Sequence, residues 1–150
     1  MDGEATLVIR LYRAGDFRDC AKLFRKVMSE IYPDDETGTY AAWTFGEHTR
    51  GETIWVAEIG PHIIGLATVW PNEPFVHFLL IRPEWRRRGI GTALLNTATA
   101  EFQGTIDLKC RIENEAAQRF YETLGWREVD RELNADEPHI RYRLDDGPGA

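Results

Sequence analysis

Apolar and polar positions along the chain change period several times, and each change marks an element. Residues 7–11 (LVIRL) read as a first strand. Phe17, Ala21, Phe24, Val27/Met28 and Ile31 then recur at helical spacing, with Asp16 placed to cap that helix and Pro33 to end it. Residues 38–49 carry a fainter helical pattern. Residues 54–59 and 63–70 read as strands, and Gly60-Pro61-His62 between them predicts a hairpin. After the turn Pro71-Asn72-Glu73-Pro74, residues 75–82 are almost continuously apolar, as in a central strand covered on both faces and stopped by Pro83. Leu94, Leu95, Ala98 and Phe102 restore helical spacing as far as Gly104, and residues 106–110 form another strand. Asn114 caps a further helix whose stripe is Ala117, Phe120/Tyr121 and Leu124, with Gly125 in the left-handed terminating position. Strands over residues 126–133 and 140–144 close the chain. The order β-α-α-β-β-β-α-β-α-β-β is mixed α/β, with one right-handed crossover in the middle.

At 150 residues, 43% hydrophobic and 29% charged, the chain is expected to form one domain over residues 1–150 with an ordinary core. The ends, about 1–5 and 145–150, are expected to fray. No run approaches the roughly 18 apolar residues of a membrane span, and MDGEATLVIRLYR lacks a signal-peptide pattern. Cys20 and Cys110 belong to no disulfide framework, so the cytoplasm is the expected location. A net charge of −7 argues against a general nucleic-acid binder. Arg86–Arg88 is a local exception and suits a small anionic ligand.

Those arginines sit in PEWRRRGIGTALL, where the helix begins at a Gly-rich turn. A helix N-terminus carries roughly half a positive charge and favours acidic neighbours, so three cations there are out of place. A phosphate removes the conflict, because free N–H groups and close backbone approach at a glycine turn form an anion site. The P-loop is excluded, since no lysine follows Gly89 or Gly91. The dinucleotide fingerprint is excluded by Leu94 in place of its third glycine. What fits is [Gln/Arg]-x-x-G-x-[Gly/Ala], preceded by Leu79-Leu80-Ile81-Arg82-Pro83-Glu84-Trp85. A second segment, residues 114–126 (NEAAQRFYETLGW), follows at a suitable distance.

Both segments resemble the GNAT superfamily of N-acetyltransferases, the first its coenzyme A pyrophosphate motif and the second its N-x-x-A-x-x-x-Y-x-x-x-G-[Phe/Trp]. The resemblance implies a sheet whose central strands splay apart and an acetyl-CoA cosubstrate whose pantetheine arm lies against Leu79, Leu80 and Ile81. The pyrophosphate would rest on the amides of Arg87, Arg88, Gly89, Ile90, Gly91 and Thr92, with side-chain contacts from Arg86 and from Asn114. An acetyl group would pass to a primary amine by direct attack in a ternary complex, with Tyr121 as the acid that stabilises the departing thiolate. The family often places its general base on the strand holding His77, and serotonin N-acetyltransferases carry a histidine there. Alternation puts His77 on the face of Leu79 and Ile81. Glu73 is its rival, and a water chain without a dedicated base stays open.

The remaining candidates have plain structural readings beside the functional ones. Tyr121 shares the stripe of Ala117 and Leu124, and Cys110 reads as a small hydrophobe. His48, His62 and His139 show no metal-ligand spacing, so no metal is expected. Asp34-Asp35-Glu36 reads as a solvated loop, although it lies where the family builds its acceptor pocket and could attract a cationic small molecule. Trp43, Phe45 and Trp70 could line that pocket or simply pack. The alternatives are a non-catalytic acyl-CoA-binding or regulatory module of the same fold and a protein-interaction domain. Neither membrane nor nucleic acid is an expected partner, and a homodimer is compatible with the resemblance.

Overall fold

The structure, a computed structural model, describes residues 6–145; the expectations for residues 1–5 and 146–150 lie outside it. Strand β1 (Leu7–Leu11) leads through a 3-10 turn into helix α1 (Phe17–Ile31), and a second 3-10 turn opens the short helix α2 (Phe45–His48). Three strands follow, β2 (Thr53–Ile59), β3 (His62–Trp70) and β4 (Phe75–Ile81). Helix α3 (Ile90–Thr99), strand β5 (Ile106–Arg111), helix α4 (Glu115–Thr123), and strands β6 (Arg127–Glu132) and β7 (His139–Leu144) complete the chain. The seven strands form one sheet in the order β1-β2-β3-β4-β5-β7-β6. Among the described strands only β4 and β5 run parallel, which fits their connection through a crossover helix.

The helices cover the two faces of this sheet. On one face Phe24, Val27 and Met28 of α1 and Phe45 of α2 pack with Val56, Leu66 and Leu80. On the other, Ile90, Leu94, Leu95 and Ala98 of α3 and, from α4, Ala117, Phe120 and Tyr121 meet Ile64, Ala67, Val76, Ile106 and Leu108. Phe17 and Ile31, expected on the buried stripe of α1, lie at its ends and stay exposed.

Two local expectations change. Asp16 sits at the start of α1 but caps none of its amides. Its buried carboxylate instead accepts from the Arg13 N–H (2.8 Å) and from both terminal nitrogens of Arg10 (2.8 and 3.0 Å), which offer stronger charge-assisted bonds. The helix expected over residues 38–49 shrinks to α2. Asp35 accepts from the amides of Thr39 (3.0 Å) and Tyr40 (2.8 Å), and the Thr44 hydroxyl donates to the Thr39 carbonyl (2.9 Å), so side chains compete for the backbone before a helix can form. Asp145, at the edge of the described residues, accepts from Arg127 through two bonds of 2.6 and 2.7 Å.

The feature that positions the site is the parting of β4 from β5. They are paired only at Phe75–Asp107 and Val76–Leu108, and beyond that point a gap opens. This is why Phe78, Leu79 and Ile81 are only partly buried in a strand whose sequence reads as fully covered. On its other edge β4 carries a bulge: Val69 faces Val76 and Thr68 faces Phe78, leaving His77 as the extra residue.

Candidate active site

At the far end of β4 the chain builds an anion cradle. Gly89 (φ 80°, ψ 3°) starts α3 in the left-handed region and offers no side-chain cap. The first helical bond runs from the Ala93 N–H to the Gly89 carbonyl (3.1 Å). The N–H groups of residues 87–92 therefore have no acceptor among the described residues. Arg87 is the one non-glycine described residue at positive φ (63°), a conformation that costs roughly 1–2 kcal/mol. At Gly91 an added Cβ would touch the Phe120 ring at 3.4 Å. The three arginines divide their work. Arg86 donates to the Ile81 carbonyl (3.2 Å) and pairs with Glu30 of α1 (2.7 Å), so its guanidinium ties the loop down. Arg88 stacks on Trp85, and Arg87 is exposed.

The gap leads away from this cradle. The Arg82 N–H bonds to Ile64 of β3 (2.8 Å), so alternation turns the backbone of Leu80 toward β3 as well and that of Leu79 and Ile81 toward the gap. Leu79 thus offers an unpaired edge next to β5, while the Ile81 carbonyl is already taken by Arg86.

Two titratable groups lie on opposite faces of the sheet. Tyr121 of α4 packs among Phe120, Trp126 and Tyr142. Burial, with a smaller contribution from nearby Cys110, pushes its phenol well above the ordinary range. Its hydroxyl makes no hydrogen bond to the described residues, so it is a protonated and free donor. Asn114 holds α4 by accepting from the Ala117 N–H (3.0 Å). Cys110 is buried with its thiol pushed up to about 11 by desolvation, which does not suit a nucleophile. His77 lies elsewhere than expected: Val76, Leu79 and Ile81 pack on the α3/α4 face, but the bulge breaks the alternation and His77 stacks on Phe78, which packs with α1 and α2.

The pattern described as "Acetyltransferase (GNAT) family" matches residues 17–126, well over half of the chain. The chain belongs to the GNAT acetyltransferase family. It is an acyltransferase of the N-acetyltransferase class, and its cosubstrate is acetyl-CoA. It is 28% identical over 129 residues to the uncharacterized N-acetyltransferase YafP of Escherichia coli K12, covering 81% of each chain. Among solved structures it resembles a GNAT-family acetyltransferase of Desulfovibrio desulfuricans (TM-score 0.73, 21% identity, 93% of this chain and 99% of that one). It also resembles the PaiA N-acetyltransferase of Thermoplasma acidophilum, whose crystals contain coenzyme A (TM-score 0.72, 16% identity, 93% and 99%).

The α1/α2 face of this GNAT chain holds what the sequence reading missed. His77 Nδ1 lies 2.7 Å from a carboxylate oxygen of Glu52, just before β2. The Glu52 side chain is 4% exposed, and its other oxygen, Oε1, is buried without a partner. A signal did exist in the sequence: Glu52 is in phase with Ile54 and Val56, which pack against α1, so alternation places a carboxylate on a buried face. Glu73 is exposed and makes no hydrogen bond to the described residues. Further along this face, Tyr32 stacks on Tyr40, Tyr40 on His48, and His48 meets the edge of Phe78. His48 Nε2 donates to the Thr39 carbonyl (2.8 Å). Phe45 is core, whereas Trp43 and Trp70 are exposed. Asp35 is occupied by its loop amides, and no trio of His, Cys, Asp or Glu suited to a metal occurs among the described residues. No described helix is long and apolar enough to cross a membrane.

Proposed function

We propose that this enzyme transfers the acetyl group of acetyl-CoA to a primary amine by direct attack within a ternary complex. The observation that carries the proposal is that the free amides of residues 87–92 follow a strand whose Leu79 edge is unpaired where β4 parts from β5, with Tyr121 and His77 on opposite faces of the sheet. Those amides would hold the pyrophosphate at the positive end of α3. The free backbone edge of Leu79 would pair with the amides of the pantetheine arm as an added strand does, and could polarise the thioester carbonyl. Arg86 would act by fixing the loop to Glu30, and Asn114 by setting the start of α4.

Acetyl-CoA supplies the activated acetyl group; the chain supplies the proton traffic. An alkyl amine with a pKa of about 10.4 arrives protonated, and His77 Nε2 would take its proton from the α1/α2 face. Tyr121 would donate a hydrogen bond to the thiolate from the α3/α4 face. Because its phenol is pushed above a thiol's pKa of about 8.5, complete transfer is uphill, and Tyr121 acts first as a donor. Exposed Glu73 and Asp34 would attract a cationic acceptor from solvent. Initial rates of thiol release, measured with a panel of primary amines at several acetyl-CoA concentrations, test this reading. Intersecting reciprocal plots are expected; parallel plots would mean an acyl-enzyme and overturn it.

A further inference from the structure

We infer that Glu52 is a positioning residue that fixes the tautomer and ring orientation of His77 in the acceptor half of the site. The inference rests on the reading of His77 as the base. A carboxylate only accepts, so at 2.7 Å His77 Nδ1 must carry the proton. In the neutral ring the lone pair then resides on Nε2, the nitrogen turned away from Glu52. Phe78 fixes the ring plane from one side, with ring centroids 4.0 Å apart and planes 28° from parallel. The bulge makes the arrangement possible, because an extra residue that pairs with nothing on β3 is free to lay its ring over Phe78. Thr68, fully buried, supports the bulge by accepting the Phe78 N–H on its hydroxyl (3.1 Å).

The state of Glu52 itself argues for a role beyond packing. A buried carboxylate with one oxygen unpartnered costs stability, and a side chain of similar shape without charge would relieve that cost. Here the whole charge is directed at a single N–H, that of a half-exposed imidazole. When Nε2 takes a proton from the amine, the resulting imidazolium stays paired with Glu52, which favours proton removal. Glu73, the rival candidate for the base, forms no bond to His77.

The test uses Glu52→Gln, Glu52→Leu, His77→Ala and the two double variants, with acetyl-CoA and any amine that the wild type accepts. Expected are a fall in kcat of about 100-fold for Glu52→Leu and a smaller fall for Glu52→Gln. KM for acetyl-CoA should stay within about twofold, because the backbone of Leu79 and of residues 87–92, and not Glu52, would hold that ligand. In the His77→Ala background the Glu52 substitutions should cost nothing more, which a merely structural carboxylate would not show. Nitrogen-15 NMR of the His77 ring adds a readout independent of turnover: the proton sits on Nδ1 in the wild type and moves toward Nε2 in Glu52→Leu. If Glu52→Leu fails to fold, the isosteric Glu52→Gln carries the kinetic test. Wild-type turnover in Glu52→Gln and Glu52→Leu, or an unchanged tautomer, overturns the inference. A His77→Ala enzyme with undiminished kcat would instead overturn the reading of His77 as the base.

Discussion

The difference between Tyr121 and His77 is one of environment. Tyr121 is enclosed by Phe120, Trp126 and Tyr142, and burial keeps its proton on the oxygen. Its hydroxyl has no partner among the described residues, so Tyr121→Phe removes one donor and little packing. The expected result is a fall in kcat of about 100-fold, with acetyl-CoA affinity measured by calorimetry within about twofold of wild type. Equal losses in both would make Tyr121 a packing residue. This residue was legible because a motif named it and its helix runs as the apolar stripe predicts. His77 was legible in identity but not in direction: period-two alternation holds only while the ladder is regular, and the bulge at Val76–Phe78 interrupts it. Glu52 escaped because its partner is distant in sequence, and no local pattern records a contact spanning 25 positions.

Among the elements, α3 was the easiest to foresee, since the glycines that punctuate its start also have a physical task. Gly89 stands at φ 80° with open space around it, so an added Cβ would meet strain and no collision. Gly89→Ala should therefore destabilise the fold by about 1 kcal/mol in urea titrations. Arg87→Gly, in the same region of backbone space, should show no comparable loss, because relief of strain offsets the added freedom of the unfolded chain. The pairing of β5 with β7 carries a pH-dependent term. Asp107 is buried, and hydrogen bonds from Arg143 and Arg141 hold its carboxyl below the usual range. A depressed carboxylate stabilises the native state above the unfolded value of about 3.9, and that contribution disappears as pH falls through the native value. Asp107→Asn should thus cost about 2 kcal/mol near pH 7, and the gap between variant and wild type should close in acid melts below about pH 4. The loop between α1 and α2 was hardest to read. Its form depends on side-chain bonds from Asp35 and Thr44, which an apolar pattern does not register.

At the scale of the molecule the sheet consists of two parts, β1–β4 and β5–β7–β6, whose backbones meet at two residue pairs. The order of elements was readable from period changes and turn residues, but the parting was not. An apolar run such as FVHFLLI reads the same whether its neighbouring edge holds a strand or a ligand. The parting also has an energetic consequence. It leaves the Leu79 edge and the amides of residues 87–92 without partners among the described residues, so a ligand that satisfies both adds bonds that the folded chain lacks. Acetyl-CoA at 100 times its Kd should stabilise the protein by about 2.7 kcal/mol by mass action. For a chain of this size that corresponds to a rise in Tm of roughly 5–10 °C. Acetyl-pantetheine, which keeps the arm and lacks the pyrophosphate, should give a much smaller shift at equal concentration. Hydrogen exchange read alongside should show new protection at the Leu79 amide and across residues 87–92. A full shift with acetyl-pantetheine would move the main contact from the cradle to the gap, and no shift with acetyl-CoA would separate this chain's open sheet from cosubstrate binding altogether.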